Sequence, residues 1–127
     1  SAMKTLNLQQ LLEVHALAIS DTGGADGVRD IGRLEATVAS QTQNVFGKEL
    51  YKTEFEKAAA LIRGIIDDHA FVDGNKRTGM LVGLTFLSIN GHKLTARKGE
   101  IEDFAVEIST DYLDVAAIAD WLQVHSA

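Results

Sequence analysis

The chain has 127 residues, a formal net charge of −6, and neither cysteine nor proline. A chain of this length forms one domain that buries roughly two thirds of its unfolded surface, and without cysteine the fold cannot depend on disulfides. The negative charge argues against direct nucleic-acid binding through net charge, and the longest apolar run, Met80 to Ile89, is far shorter than the roughly 20 residues of a membrane span, so no membrane partner is expected. With no signal-like N-terminus a cytoplasmic location is expected, and Ser1-Ala2-Met3 reads as an expression scar ahead of a domain over residues 4–127.

The pattern is helical nearly throughout. Leu8, Leu11, Leu12, His15 and Ile19 recur at helical spacing, and this helix should stop in Ser20-Asp21-Thr22-Gly23-Gly24, with a loop to about Gly27. Ile31, Leu34, Ala36 and Val38 predict a second helix from about Asp30 to Thr42, which Gly32 weakens by about 1 kcal/mol relative to alanine. Asn44 to Lys52 shows no clear period. Thr53-Glu54-Phe55-Glu56 is a capping box, in which the threonine hydroxyl and the Glu56 carboxylate each satisfy a free N–H. The helix it starts carries Phe55, Ala59, Ile62 and Ile66, flanked by Ala58, Leu61 and Ile65, a wide apolar face. Lys76 to Asn90 is apolar on most sides and should run through the middle of the molecule, with Gly79 and Gly83 admitting a close neighbour and Gly91 ending it. His92 to Ala96 reads as a short extended piece, followed by helices over Gly99 to Ile108 and Asp114 to His125, the last capped by Asp114.

The segment His69-Ala70-Phe71-Val72-Asp73-Gly74-Asn75-Lys76-Arg77-Thr78 lies between the two strongest helices and breaks local rules on both sides. Asp67 and Asp68 close one helix where its dipole disfavours anions; Lys76 and Arg77 open the next where free N–H groups already carry positive charge. Such clusters mark function, and the simplest beneficiary is an anion. Asp-Gly-Asn leading into a helix offers successive N–H groups to a phosphate, Lys76 and Arg77 add charged donors, and Asp73 is the carboxylate able to hold Mg²⁺ through water and phosphate oxygens. His69 supplies an imidazole able to take a proton from a hydroxyl, while Phe71 is expected to be buried and pin the loop. Each residue has an ordinary alternative: His69 as a C-terminal cap, Asp73-Gly74 as a turn, Asn75 as an N-cap, Lys76-Arg77 as a solvated start. Together they are the parts for transfer from a nucleotide to a hydroxyl.

The same residues carry a family resemblance. His69 to Arg77 resembles the Fic/Doc signature His-x-Phe-x-(Asp/Asn)-(Gly/Ala)-Asn-(Gly/Lys)-Arg, with the lysine typical of the Doc (death on curing) branch. His15, Gly23-Gly24, Gly27 to Asp30, Gly32-Arg33 and Leu34 to Ala36 resemble the N-terminal pattern of Doc-like proteins, as do Leu84 to Leu87 and Asn90-Gly91 the segment after the signature. The resemblance implies an all-α, compact single-domain bundle with the signature loop between two central helices. It also implies the chemistry of a Doc-type toxin, which uses ATP and Mg²⁺ to phosphorylate a Thr/Ser hydroxyl of a protein, elongation factor Tu, and so stops translation. By match of motif His69 is the base, Asp73 the Mg²⁺ residue, Gly74, Asn75 and Lys76 the anion nest and Arg77 a phosphate clamp. Asn44 to Lys52 falls where the family has a flap for the target, with Phe46 and Tyr51 as contacts.

Within the family the alternative is AMP transfer to a protein. Lys76 stands where AMP-transferases usually carry a second glycine and Met80 where they carry a second arginine, which favours the kinase. Against Doc, Asp67 replaces an arginine and Leu81 an asparagine, so nucleotide contacts differ. No Ser/Thr-x-x-x-Glu-Gly/Asn inhibitory motif occurs, so restraint is expected from a Phd-like antitoxin. The remaining alternative, a catalytically silent module holding a nucleotide or a partner's acidic tail, has no use for a base at His69.

Overall fold

A computed structural model describes residues 3–127; Ser1 and Ala2, two of the three residues of the expected scar, lie outside the described residues. Its helices are α1 (Leu8–Thr22), α2 (Ile31–Ser40), α3 (Glu54–Asp68), α4 (Asn75–Ile89), α5 (Lys98–Thr110) and α6 (Val115–Val124). A single small hairpin, β1 (Asn44–Val45) and β2 (Lys48–Glu49), pairs antiparallel between α2 and α3, so the expectation of an all-α chain holds except for this hairpin.

The helix starts follow local chemistry. Asn7, Asp30, Thr53 and Asp114 each accept an N–H of the first turn, and the Thr53 capping box is complete, with Thr53 Oγ1 accepting from Glu56 N–H at 3.0 Å and Glu56 Oε1 from Thr53 N–H at 3.1 Å. α2 departs from its expected face. Ile31 and Ala36 are exposed, and the helix buries Leu34, Thr37 and its cap Gln41 instead. The segment 92–96 is extended and pairs with the C-terminus, Thr95 N–H donating to the His125 carbonyl at 2.6 Å and Ala127 N–H to the Lys93 carbonyl at 2.8 Å.

α3 packs most extensively on α4 and also touches α2, α5 and α6, so it is the centre of the core. Ala58, Leu61, Ile62, Ile65 and Ile66 are buried on it, against Val82, Phe86 and Leu87 of α4. The close approach depends on two glycines. A Cβ on Gly79 would lie 2.8 Å from Ile66 Cγ1 and 3.3 Å from the Ile62 carbonyl, and one on Gly83 would run into the Ile62 side chain. Interiors packed this densely do not absorb added methyl groups.

Gly83→Val should therefore destabilise the protein by about 2 kcal/mol through overpacking, even though valine is the better helix former. Urea unfolding should show a lower midpoint with the same slope; an unchanged midpoint would mean that the two helices have room to separate.

Candidate functional site

Residues 69–74 join α3 to α4, and every turn of this short segment is tied down. His69 takes the left-handed conformation (φ 47°, ψ 52°) as the C-terminal cap of α3, which turns the chain out of the helix and leaves its side chain exposed. Ala70 and Phe71 then drop into the core. The Asn75 side chain brackets Phe71, its Oδ1 accepting from Phe71 N–H at 2.9 Å and its Nδ2 donating to the Phe71 carbonyl at 3.0 Å. The loop after α1 lies along the same segment: Arg29 N–H and Asp30 N–H donate to the Ala70 carbonyl at 2.9 and 3.1 Å, and Val72 N–H to the Gly27 carbonyl at 3.1 Å.

His15 locks the loop from the α1 side. It is buried, its ring stacks on Phe71 with centroids 3.8 Å apart and planes 5° from parallel, and its Nε2 lies 2.9 Å from the Asp73 carbonyl oxygen. A carbonyl only accepts, so the proton sits on Nε2. The Asp73 carboxylate faces outward, Oδ1 accepting from Gly74 N–H at 2.9 Å and Oδ2 from Ala25 N–H at 3.2 Å.

α4 begins without a side-chain cap, after Gly74 in the left-handed region (φ 73°, ψ 23°). Thr78 N–H, bonded to the Gly74 carbonyl at 2.9 Å, makes the first helical bond, so the N–H groups of Asn75, Lys76 and Arg77 lie in the turn where helices bind anions. Lys76 is exposed and, among the described residues, forms no ion pair. Arg77 is engaged, its Nη2 lying 2.5 Å from Asp21 Oδ2 at the end of α1, while its buried Nε has no partner. Thr78 Oγ1, one residue on, is also buried without a partner. Below the junction Asp67 pairs with Arg63 at 3.3 Å and Asp68 with Arg33 at 3.4 Å. Partial burial holds the Asp67 carboxyl above the usual carboxylate range, with Arg63 opposing, Asp68 adding to the rise and His69 opposing it.

Two concavities flank these residues. A cleft of about 240 Å³ is lined by Tyr51, Thr37, Arg63, Asp67 and Asp68 among others. A groove of about 580 Å³ runs beside the start of α4, lined by Lys76, Arg77, Met80, Leu81 and Leu84 with Lys98, Ile101, Ala105 and Val106 of α5. Phe46 stands fully exposed at the tip of the hairpin in a left-handed conformation (φ 50°), and Tyr51 is half-buried.

The structure thus gathers His69, Asp73, Gly74, Asn75, Lys76 and Arg77 within one loop and one helical turn, with Phe71 buried beneath them as expected. Asn75 differs from its sequence alternatives: Gly74 takes the N-cap position, and the Asn75 side chain braces the loop. Sequence reasoning passed over two supports, His15 and Asp21. A histidine on the buried stripe of α1 was the available signal, since a buried polar ring needs a partner; Asp21, in the last turn of α1 where the sequence pattern already fades into a loop, gave none.

A family model described as the Fic/DOC family matches residues 5–87, which includes the whole junction. "Toxin Doc" of Mycolicibacterium smegmatis is 42% identical over 98 residues, 77% of this chain and 71% of the relative. "Protein kinase doc" of Escherichia phage P1 is 31% identical over 121 residues, 95% of this chain and 94% of the relative. The chain belongs to the Fic/Doc family.

Asp21 and a phosphate would compete for Arg77. Because exposed ion pairs contribute about 0–1 kcal/mol, Asp21→Asn should tighten the binding of a phosphate ligand, probed with ATP in calorimetry, by up to about fivefold; weaker binding would show that Asp21 helps to hold the ligand. Asp67 yields a pH signature. Its folded-state carboxyl binds a proton more tightly than the unfolded chain does, so its contribution to stability is complete below the usual carboxylate range and is lost as pH rises through the raised value. The melting temperature of the wild type minus that of Asp67→Asn should fall across that window, and a difference that rises instead would mean that Arg63 outweighs burial.

Proposed function

We propose that this Fic/Doc protein is a Doc-type toxin that transfers the γ-phosphate of ATP to a threonine or serine hydroxyl of a protein, with elongation factor Tu in the bacterial cytoplasm as the target and arrest of translation as the outcome. The observation that carries the reading is an exposed, left-handed His69 one short loop away from an uncapped helix start bearing Lys76 and Arg77. The names of the two relatives, a toxin and a protein kinase, support the same direction.

In this reading the triphosphate lies against the N–H groups of Asn75 to Arg77, with Lys76 presenting a point charge to the terminal phosphate. Arg77 exchanges Asp21 for phosphate oxygens at its Nη2, while its buried Nε, without a partner, gains one only if the side chain shifts as the ligand binds. Asp73 is the residue that would hold Mg²⁺: each of its oxygens accepts one N–H and keeps lone pairs, which suffices where water and phosphate oxygens complete the shell. An Mg²⁺ ion held by Asp73 would supply neutralisation of the charge on the phosphate oxygens. His69 removes the proton of the target hydroxyl, the hydroxyl oxygen forms a bond to the γ-phosphorus, and the bond to the β–γ bridging oxygen breaks to release ADP. The reacting oxygen must sit within about 3 to 3.5 Å of the phosphorus. Phe46, strained and solvent-facing, and Tyr51 are the contacts for the target segment.

Restraint comes from a Phd-like antitoxin, whose C-terminal segment folds on docking. The groove beside α4 offers what such a segment needs to offset its ordering: apolar walls from Met80, Leu81, Leu84, Ile101 and Val106, and Lys76, Arg77 and Lys98, which outnumber Glu102 in the lining, to meet acidic side chains.

Intact-mass measurement of elongation factor Tu after incubation with the protein, Mg²⁺ and ATP should reveal one added phosphoryl group on a threonine or serine, with ADP released. His69→Ala should stay folded and slow transfer by about 10²- to 10⁴-fold, the usual contribution of a general base, and should no longer arrest bacterial growth on expression. Lys76→Gly should also lose most of the activity. An AMP adduct with pyrophosphate released would replace phosphorylation by AMP transfer, and growth arrest by well-expressed His69→Ala would remove the histidine from the mechanism.

A further inference from the structure

Lys57 is 3% exposed, a burial that charged side chains tolerate only when paired. Its Nζ donates to the Gln41 carbonyl at 2.5 Å and to Glu49 Oε1 at 2.8 Å. These acceptors stand at the two feet of the hairpin: Gln41 caps α2 just before β1, and Glu49 is the last residue of β2. Gln41 is fixed in turn, its Oε1 accepting from Leu6 N–H at 2.8 Å and its Nε2 donating to the carbonyls of Leu6 and Val38 at 2.7 and 2.9 Å.

The hairpin has little else to orient it. Its strands are two residues each, all exposed, and an isolated two-stranded hairpin is marginal in water. Among the described residues, Lys57 to Glu49 is the only side-chain hydrogen bond between α3 and the hairpin. Beyond β2 the chain enters α3 at its N-cap Thr53, and on the way Tyr51 lines a cleft together with Arg63, Asp67 and Asp68, so a residue of the hairpin's exit borders the half of α3 that leads to His69.

We infer that Lys57 is a positioning residue for the protein target: it holds both feet of the hairpin on the helix that carries the base, and so sets where a docked target segment offers its hydroxyl. The inference rests on the reading of the hairpin as the target-docking flap. Lys57 touches neither nucleotide nor reacting atoms. Its loss should therefore appear in the KM for the protein target rather than in kcat or in ATP affinity.

The test compares the wild type with Lys57→Met and with Glu49→Ala, which removes the half-exposed partner and leaves the core intact. Amide hydrogen exchange should accelerate about tenfold for the hairpin amides and for Leu50, whose N–H is bonded to the Gln43 carbonyl, with α3 unchanged; this corresponds to loss of one charge-assisted hydrogen bond. Kinetics with elongation factor Tu should show a raised KM and an unaltered kcat, and calorimetry an unchanged ATP affinity. Unchanged hairpin exchange in Glu49→Ala would overturn the inference, as would a loosened hairpin with unaltered KM. Loss of protection along α3 in both variants would also overturn it and reduce Lys57 to a residue of the core. A wild type inert toward elongation factor Tu would remove that target, and the exchange pattern alone would then decide whether Lys57 anchors the hairpin.

Discussion

His15 occupies the core-facing stripe of α1 between Leu11 and Ala18, where an imidazole is tolerated only if its N–H finds a partner. The partner is the Asp73 carbonyl, and the ring face is covered by Phe71. One side chain thereby fixes the connecting loop at two points, and Asn75 fixes Phe71 from the α4 side. With the backbone of the loop held this way, the Asp73 carboxylate has to face outward and the free N–H groups of α4 have to open to solvent. α1 also supplies Asp21 to Arg77, so the same helix braces the loop and engages the arginine at the start of α4.

The charges that look misplaced in the sequence are compensated unequally. Asp67 and Asp68, at the unfavourable end of α3, have Arg63 and Arg33 beside them, and Arg77 has Asp21. Lys76 has no such neighbour among the described residues. An uncompensated cation at a helix N-terminus adds to the partial positive charge already there, a placement that an incoming anion reverses in sign. The imbalance is concentrated at Lys76, the first of the two positions, with Met80, at which the sequence differs from the pattern expected of AMP-transferases.

How much could be read in advance follows from the range of each interaction. The Thr53 capping box, the Asp114 cap, the apolar face of α3 and the glycine contacts of α4 are set within a few residues, and the structure has them where the pattern puts them. The junction was legible because its residues are contiguous. The supports were not: His15 meets Asp73 across 58 positions and Asp21 meets Arg77 across 56, separations at which periodicity carries no information. The hairpin escaped for a different reason, since strands of two exposed residues have no alternation to display. α2 misled because two of its apolar residues face solvent while Thr37 and Gln41, polar by composition, are buried.

These separate supports converge on α3. Its first turn receives the hairpin through Lys57 and its last residues lead into His69, so the hairpin and His69 are spaced by the length of a rigid helix, about 1.5 Å per residue over the intervening turns. α4 lies against it at glycine distance, which fixes the anion-binding turn relative to the same axis. A loop-borne flap and a loop-borne base would otherwise drift independently, and a misplacement of about 1 Å in a transfer reaction can cost a hundredfold in rate. In the proposed reading, mounting both on one helix, and packing the phosphate site on that helix's closest neighbour, would let a chain of 127 residues hold three parts in register with one tightly packed pair of helices at its centre.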